Sequence, residues 1–191
     1  MAEQKFRAAV LFWSAGGNTR EVADTLHDTL KECGARADML EIEPSLEVDY
    51  RDYNLVFLGA PVYRFLPPEP VRDFLQEQQN TKVKVAPAAP ERPDCWGAVF
   101  CTYGGPHTGV GEAIPAMKCL GQYLEHAGIP VLEEWPVVGE FHAESRQHMN
   151  LEGRLGDIRG RPNQSDLKEV REKLCGLVRR LRNKLPGSVD V

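Results

Sequence analysis

Six residues near the N-terminus, Ser14-Ala15-Gly16-Gly17-Asn18-Thr19, have the types and spacing to hold a phosphate. They follow a short apolar run, Ala8 to Trp13, and precede a stretch with helical spacing. A loop in that position offers an anion the free N–H groups and positive dipole end of a helix N-terminus. Gly16 and Gly17 let the backbone approach closely, while Ser14, Asn18 and Thr19 add side-chain donors. The loop holds no Lys or Arg before Arg20, so the expected phosphate site works through neutral donors. Two later loops, Pro61 to Pro67 (PVYRFLP) and Tyr103 to Gly109 (YGGPHTG), bring aromatic rings and glycines and follow apolar runs of their own.

Other chemistries are disfavoured. The chain has no G-x-x-x-x-G-K-[ST] and no G-x-G-x-x-G, which argues against a P-loop and a dinucleotide fold. A receiver-type phosphoacceptor needs acidic residues where this chain has Ser14 and Ala60. His107, His142 and His148 form no H-x-H or H-x-x-x-H pair, so no metal site is expected. No residue is singled out as catalytic. Cys33, Cys95, Cys101, Cys119 and Cys175 are dispersed without a C-x-x-C pair. They read as reduced thiols of a cytoplasmic protein, with Cys101 in the core.

The elements that position these loops alternate. Ala8 to Trp13, Leu55 to Ala60 and Ala98 to Thr102 are continuous apolar runs, as expected of strands buried on both faces of a parallel sheet. Ala37 to Ile42 supplies a second strand; a fifth starts at Pro130 to Leu132 and resumes at Val137 and Val138. Helical spacing links Val22, Ala23, Leu26, Leu30 and Cys33, with Gly34 as the cap. Further helices carry Val71, Phe74 and Leu75, with Pro67 and Pro68 suited to the first turn, and Ile114, Met117, Leu120 and Leu124, ended by Gly128. Ser165 is the expected N-cap of a last helix whose apolar face runs from Leu167 through Val170, Leu174, Leu177, Val178 and Leu181 to Leu185. The order βαβ then βαβαβα predicts an α/β fold. Two segments fit no element: the Pro- and Ala-rich stretch from Thr81 to Asp94, and the polar, glycine-dotted stretch from Glu140 to Asn163.

Composition agrees with one ordinary domain. The 191 residues are 42% hydrophobic, enough for a full core, and 27% charged, enough to solvate the surface. A net charge of −5 argues against nucleic acid as a partner, because phosphate neutralisation needs a basic face. No apolar run is long enough for a membrane span, and Met1 to Phe6 lacks a signal-peptide apolar region. The cluster Arg179, Arg180, Arg182 and Lys184 complements a helix dipole rather than forming a binding patch.

The first loop resembles the flavodoxin fingerprint, [ST]-x-[ST]-G-x-T after the first strand, at Ser14, Gly17, Asn18 and Thr19. It departs at Gly16, where that family usually carries a hydroxyl. The loops at Pro61 and Tyr103 resemble its flavin-embracing loops, which implies that Tyr63 and Tyr103 flank the flat ring and that Gly104 and Gly105 allow a close backbone approach to its edge; Gly160 to Asn163 (GRPN) gives a weaker echo. The resemblance covers about residues 6–139. It implies a flavodoxin-like doubly wound three-layer sandwich, a five-stranded parallel sheet of order 2-1-3-4-5, in a single domain, 1–191, with a core about 6–139 and a C-terminal helix about 165–185. It implies FMN held by Ser14, Ala15, Gly16, Gly17, Asn18 and Thr19, by Pro61, Val62, Tyr63, Arg64 and Phe65, and by Thr102, Tyr103, Gly104, Gly105 and Gly109. The third-strand loop has no glycine between Val62 and Pro68, so the loop rearrangement that accompanies one-electron reduction in flavodoxins is expected to be restricted. Arg64, its only charge, could favour the anionic reduced flavin or simply be solvated.

Three functions remain open from the sequence. The first is an electron-carrying FMN protein with a redox partner protein or a small-molecule acceptor. The second is an FMN-dependent NAD(P)H:quinone-type oxidoreductase, whose extra loops would shape a substrate pocket or a homodimer interface. The third is a flavodoxin-fold interaction module without flavin. One fold hosts many functions, so the site must decide.

Overall fold

The computed structural model describes residues 6–81, 92 and 94–184. Five parallel strands form one sheet: β1 (Arg7–Phe12), β2 (Arg36–Glu41), β3 (Leu55–Pro61), β4 (Trp96–Tyr103) and β5 (Val131–Val138). Their order is β2-β1-β3-β4-β5, the doubly wound arrangement expected from the sequence. Its reversal point lies between β1 and β3, where ligands of open α/β sheets bind.

Alternation along the strands builds two apolar layers. Ala9, Leu11, Val56, Leu58, Ala60, Val99, Cys101 and Tyr103 face one side. There they meet α2 (Glu69–Thr81) and α3 (Ile114–His126). Ala8, Val10, Phe12, Leu55, Phe57, Ala98 and Phe100 face the other. That side is covered by α1 (Asn18–Glu32) and, after the four-residue α4 (Met149–Glu152), by α5 (Gln164–Arg182). The three central strands are buried almost throughout, which is why they read as unbroken apolar runs. Edge strands β2 and β5 are only partly covered. β5 is continuous rather than split, because an edge strand accommodates Pro136.

The helix ends follow local chemistry. Gly34 at φ 76° closes α1, with Ala35 N–H on Leu30 C=O at 2.9 Å and Gly34 N–H on Lys31 C=O at 2.8 Å. Gly128 ends α3 in the same way. Pro67 and Pro68 precede α2 rather than opening it, and Pro70 occupies its first turn. Asn163, not Ser165, caps α5. The Asn163 side chain accepts from Ser165 N–H and Asp166 N–H, and the Asp166 carboxylate accepts from Asn163 N–H at 2.8 Å. This is a capping box with Asp in the place of the usual Glu or Gln.

Glu140 to Asn163, expected as a loop, is folded. It holds a short helical turn at Glu144–Arg146 and α4, and lies against the loops at the strand ends, with Arg154 N–H on Pro106 C=O and Phe141 against Gly104. Of the stretch from Thr81 to Asp94, most lies outside the described residues, as does Leu185. Cys101 is fully buried, and burial pushes its thiol well above the ordinary range. Among the described residues no helix is long and apolar enough to cross a membrane, and no cluster of three or more His, Cys, Asp or Glu could hold a metal.

Candidate functional site

The loops after β1, β3 and β4 converge on one cleft of about 890 Å³, within the range of small-molecule and cofactor sites. Twelve of the sequence-predicted residues line it: Ser14, Ala15, Gly16, Asn18, Thr19, Pro61, Val62, Tyr63, Arg64, Thr102, Tyr103 and Gly104. Gly17, Phe65, Gly105 and Gly109 do not. Gly17 turns the chain into α1 at φ 100°. Gly105 lies so close to Gly109 that a Cβ would stand 2.7 Å from its carbonyl oxygen, so the pair folds the third loop rather than lining the cavity. His107 also stays off the cleft wall; its N–H, with that of Thr108, is held by Glu112.

At one end of the cleft lies the start of α1, which has no side-chain cap. Its first amides are therefore left for an anion. The side-chain donors are arranged differently from the sequence expectation. Ser14 Oγ accepts from Gly17 N–H at 3.1 Å and keeps its own hydrogen for an anion. Thr19 is buried, and its hydroxyl is 2.7 Å from that of Thr102, joining α1 to β4. Asn18 donates from Nδ2 to Glu140 C=O at 2.9 Å and accepts at Oδ1 from His142 Nε2 at 2.8 Å. Thr19 and Asn18 thus hold the cradle together, and the anion is left chiefly to backbone amides and Ser14.

The third-strand loop is a tight reversal. Tyr63 N–H donates to Leu66 C=O at 2.9 Å, and Leu66 N–H to Tyr63 C=O at 3.1 Å. Arg64 (φ 50°) and Phe65 (φ 72°) both sit in the left-handed region, as a type I′ turn demands. Neither side chain suits that conformation, which usually selects Asn and Gly. Strain of this kind clusters at functional sites. The double substitution Arg64→Asn with Phe65→Gly is therefore expected to stabilise the fold by about 1 kcal/mol, raising the melting temperature by roughly 2–4 °C. A thermal melt showing no gain would mean the turn is relaxed.

The two tyrosines differ. Tyr63 is 48% exposed at the mouth, with Trp13 edge-on to its ring at 6.2 Å. Tyr103 is 8% exposed and packs in the core on the α2 and α3 side; burial raises its hydroxyl pKa. It forms floor rather than a free flank. A different aromatic, Phe141, stands in the cleft. It lies against Gly104, where a Cβ would come within 2.3 Å of its ring.

Phe141 belongs to the wall that sequence reasoning missed: Gly139, Glu140, Phe141, His142, Ala143, Ser145 and Arg146. This strap is held from behind by the fully buried Asn150, which accepts from Phe141 N–H at 2.8 Å and donates to Phe141 C=O at 3.0 Å. Glu140 accepts Gly160 N–H at Oε2, and its own N–H donates to Arg161 C=O. Arg161 forms a two-pronged ion pair with Asp166, the residue that completes the α5 cap. The sequence signal was present but indirect: a long polar segment directly after β5 returns to the carboxyl ends of the strands. Arg64 and Arg146 bring positive charge to the cleft, Arg72 and Glu69 enter from α2, and Arg146 stacks over Phe141 at 5.9 Å.

Comparison with known proteins agrees with this architecture. The model of the flavodoxin domain family matches residues 9–94. Oxidised flavodoxin 1 from Bacillus cereus is 19% identical, with 91% of this chain and 97% of that one aligned at a TM-score of 0.65. A flavodoxin from the domain Archaea is 15% identical, covering 93% and 99% at a TM-score of 0.64. The rubredoxin oxygen:oxidoreductase of Desulfovibrio gigas is 15% identical; 96% of this chain aligns with 38% of that longer one at a TM-score of 0.62. No curated protein sequence matches the chain.

Proposed function

We propose that this chain is a flavodoxin-like protein whose cleft holds FMN and that it works as a redox protein, passing electrons to a partner protein or a small acceptor. The observation that carries the reading is the convergence of three strand-end loops on one cleft with an uncapped helix start at its end. The residues fit the group. Gly16 and Gly104 let His142 and Phe141 close on the loops along the cleft wall, and the donors at the α1 end are neutral and convergent. The start of α1 and Ser14 would hold the phosphate, and the Tyr63 loop and the Gly104 backbone would border the ring. Bound flavin supplies the one- and two-electron chemistry, and the protein sets its position and surroundings. The apolar side chains of Tyr63, Phe65 and Leu66, exposed beside the mouth, suit a docking partner or a second copy of the chain.

A second reading, an FMN-dependent oxidoreductase taking hydride from NAD(P)H, is favoured by one feature. The strap widens the cleft beyond the three loops, and Arg64, Arg72 and Arg146 line it, which suits an anionic co-substrate.

The test is the visible spectrum of the purified protein with and without added FMN. Bound flavin that responds to dithionite but not to NAD(P)H is the expected result. Rapid bleaching by NAD(P)H selects the second reading. No flavin bands and no binding would overturn both and leave an interaction module.

A further inference from the structure

The loop lacks a hydroxyl at Gly16, yet the space that side chain would take is filled. A Cβ built on Gly16 would stand 2.7 Å from Cδ2 of His142 and 3.6 Å from its Nε2. The imidazole therefore occupies the direction in which a Ser or Thr at this position would project. We propose that His142 is a phosphate ligand of this site, a donor delivered from the strap in place of the hydroxyl missing from the loop. The proposal rests on the flavin reading above.

Three features make the ring a donor held in advance rather than a passing neighbour. Its Nε2 donates to Asn18 Oδ1 at 2.8 Å, and Asn18 is itself tied to Glu140 C=O, so strap and loop fix each other. The adjacent Phe141 backbone is clamped on both sides by buried Asn150. The side chain is still 47% exposed and lines the cleft beside Ser14 and Gly16. Nδ1 faces Glu140 Oε1 at 3.9 Å, so Nε2–H, now on Asn18 Oδ1, is the ring donor beside Gly16 that a bound phosphate would share. The other charges nearby are committed elsewhere: Arg20 to Glu41, Arg161 to Asp166, and Glu140 Oε2 to Gly160 N–H. Arg146 lines the same cleft over Phe141. A loop without Lys or Arg thus gains a further N–H donor, and a hydrogen bond to an ionised phosphate is stronger than one between neutral groups.

The experiment compares FMN with riboflavin, which has the ring but no phosphate. His142→Ala is expected to weaken FMN binding about tenfold or more while changing riboflavin binding less than about twofold. Adding Gly16→Ser to that variant should recover most of the loss, because the hydroxyl then has room. Gly16→Ser alone should weaken FMN by displacing the ring. In NMR spectra of the whole protein, the His142 ring resonances should shift when FMN binds and stay put with riboflavin. Equal weakening of both flavins, no weakening of either, or no FMN-specific shift of His142 would each overturn the assignment. A wild-type protein that binds neither flavin would instead overturn the flavin reading, and this assignment with it.

Discussion

Replacing Gly59 with alanine is expected to lower the melting temperature by roughly 5–10 °C, the size of an overpacking penalty in a protein of this length. Gly59 lies in the middle of the sheet, paired with Phe12 of β1 on one side and Phe100 of β4 on the other. A Cβ there would be 2.0 Å from Cζ of Phe100 and 2.3 Å from both Cε atoms, so the added methyl would fall on the end of the ring. Phe100 has nowhere to go. It is fully buried on the side covered by α1 and α5, among Phe12, Phe57 and Val22. The missing side chain at Gly59 is the space in which that ring packs. The effect also reaches the cleft, because Gly59 C=O accepts from Trp13 N–H at 3.1 Å, immediately before Ser14, and Pro61 follows two residues later. Flavin affinity should therefore fall along with stability. Combining Gly59→Ala with Phe100→Leu should be less damaging than the two single losses added together, as neighbouring sites couple. Strict additivity in thermal or urea unfolding would refute the steric account.

Gly59 also shows where sequence reasoning stops. It reads as one more small residue in an apolar run, and nothing in its own strand names Phe100 as its neighbour. What was legible depends on local chemistry. The unbroken runs at Ala8, Leu55 and Ala98 announce strands covered on both faces, and Gly34 and Gly128 announce helix ends, because backbone conformation is decided within a few residues. The cleft loops were legible for the same reason: strand order and the direction of β1, β3 and β4 place their ends together. Failures came where partners are distant in sequence. Asn18 looked like a ligand donor until its contact with Glu140, 122 residues away, appeared. Thr19 and Thr102, 83 residues apart, satisfy each other. Gly16 reads as a departure from the fingerprint because nothing in its own loop names His142, 126 residues away. Ser165 reads as a cap from its residue type alone; Asn163 is the cap because Asp166 at the third helical position completes the box, and Arg161, which holds that Asp, has no signature of its own.

Asn150 is the residue on which the strap depends, and Asn150→Leu, similar in size but apolar, is expected to release it. The side chain is fully buried and makes bonds to both backbone groups of Phe141, with a further one to Gln147 Oε1 at 3.2 Å; its C=O accepts from Ile158 N–H. Leucine can make none of the side-chain bonds, and it leaves Phe141 N–H without its acceptor beside a fully buried side chain. A buried unpaired group costs about 1–3 kcal/mol. The sheet and its five strands do not depend on this contact, so the loss should appear as local opening rather than global unfolding. Amide exchange across residues 140–158 should quicken by about tenfold to a hundredfold, with the melting temperature lowered far less than by Gly59→Ala. The Asn150→Asp variant separates the two bonds. Its carboxyl still accepts from Phe141 N–H but, once ionised, sets an oxygen against Phe141 C=O. Burial and that repulsion raise its pKa in the folded state above the ordinary Asp value of about 3.9, so stability is lost as pH rises from there through the raised value. Exchange in the strap should therefore be slower in acid than at neutral pH for this variant and show no such excess in the wild type. FMN affinity should track the strap in both variants, because His142 reaches the phosphate loop only while Phe141 beside it is held. Unchanged exchange in Asn150→Leu, or quickened exchange with FMN affinity intact, would show that the strap is not what presents His142 to the cleft.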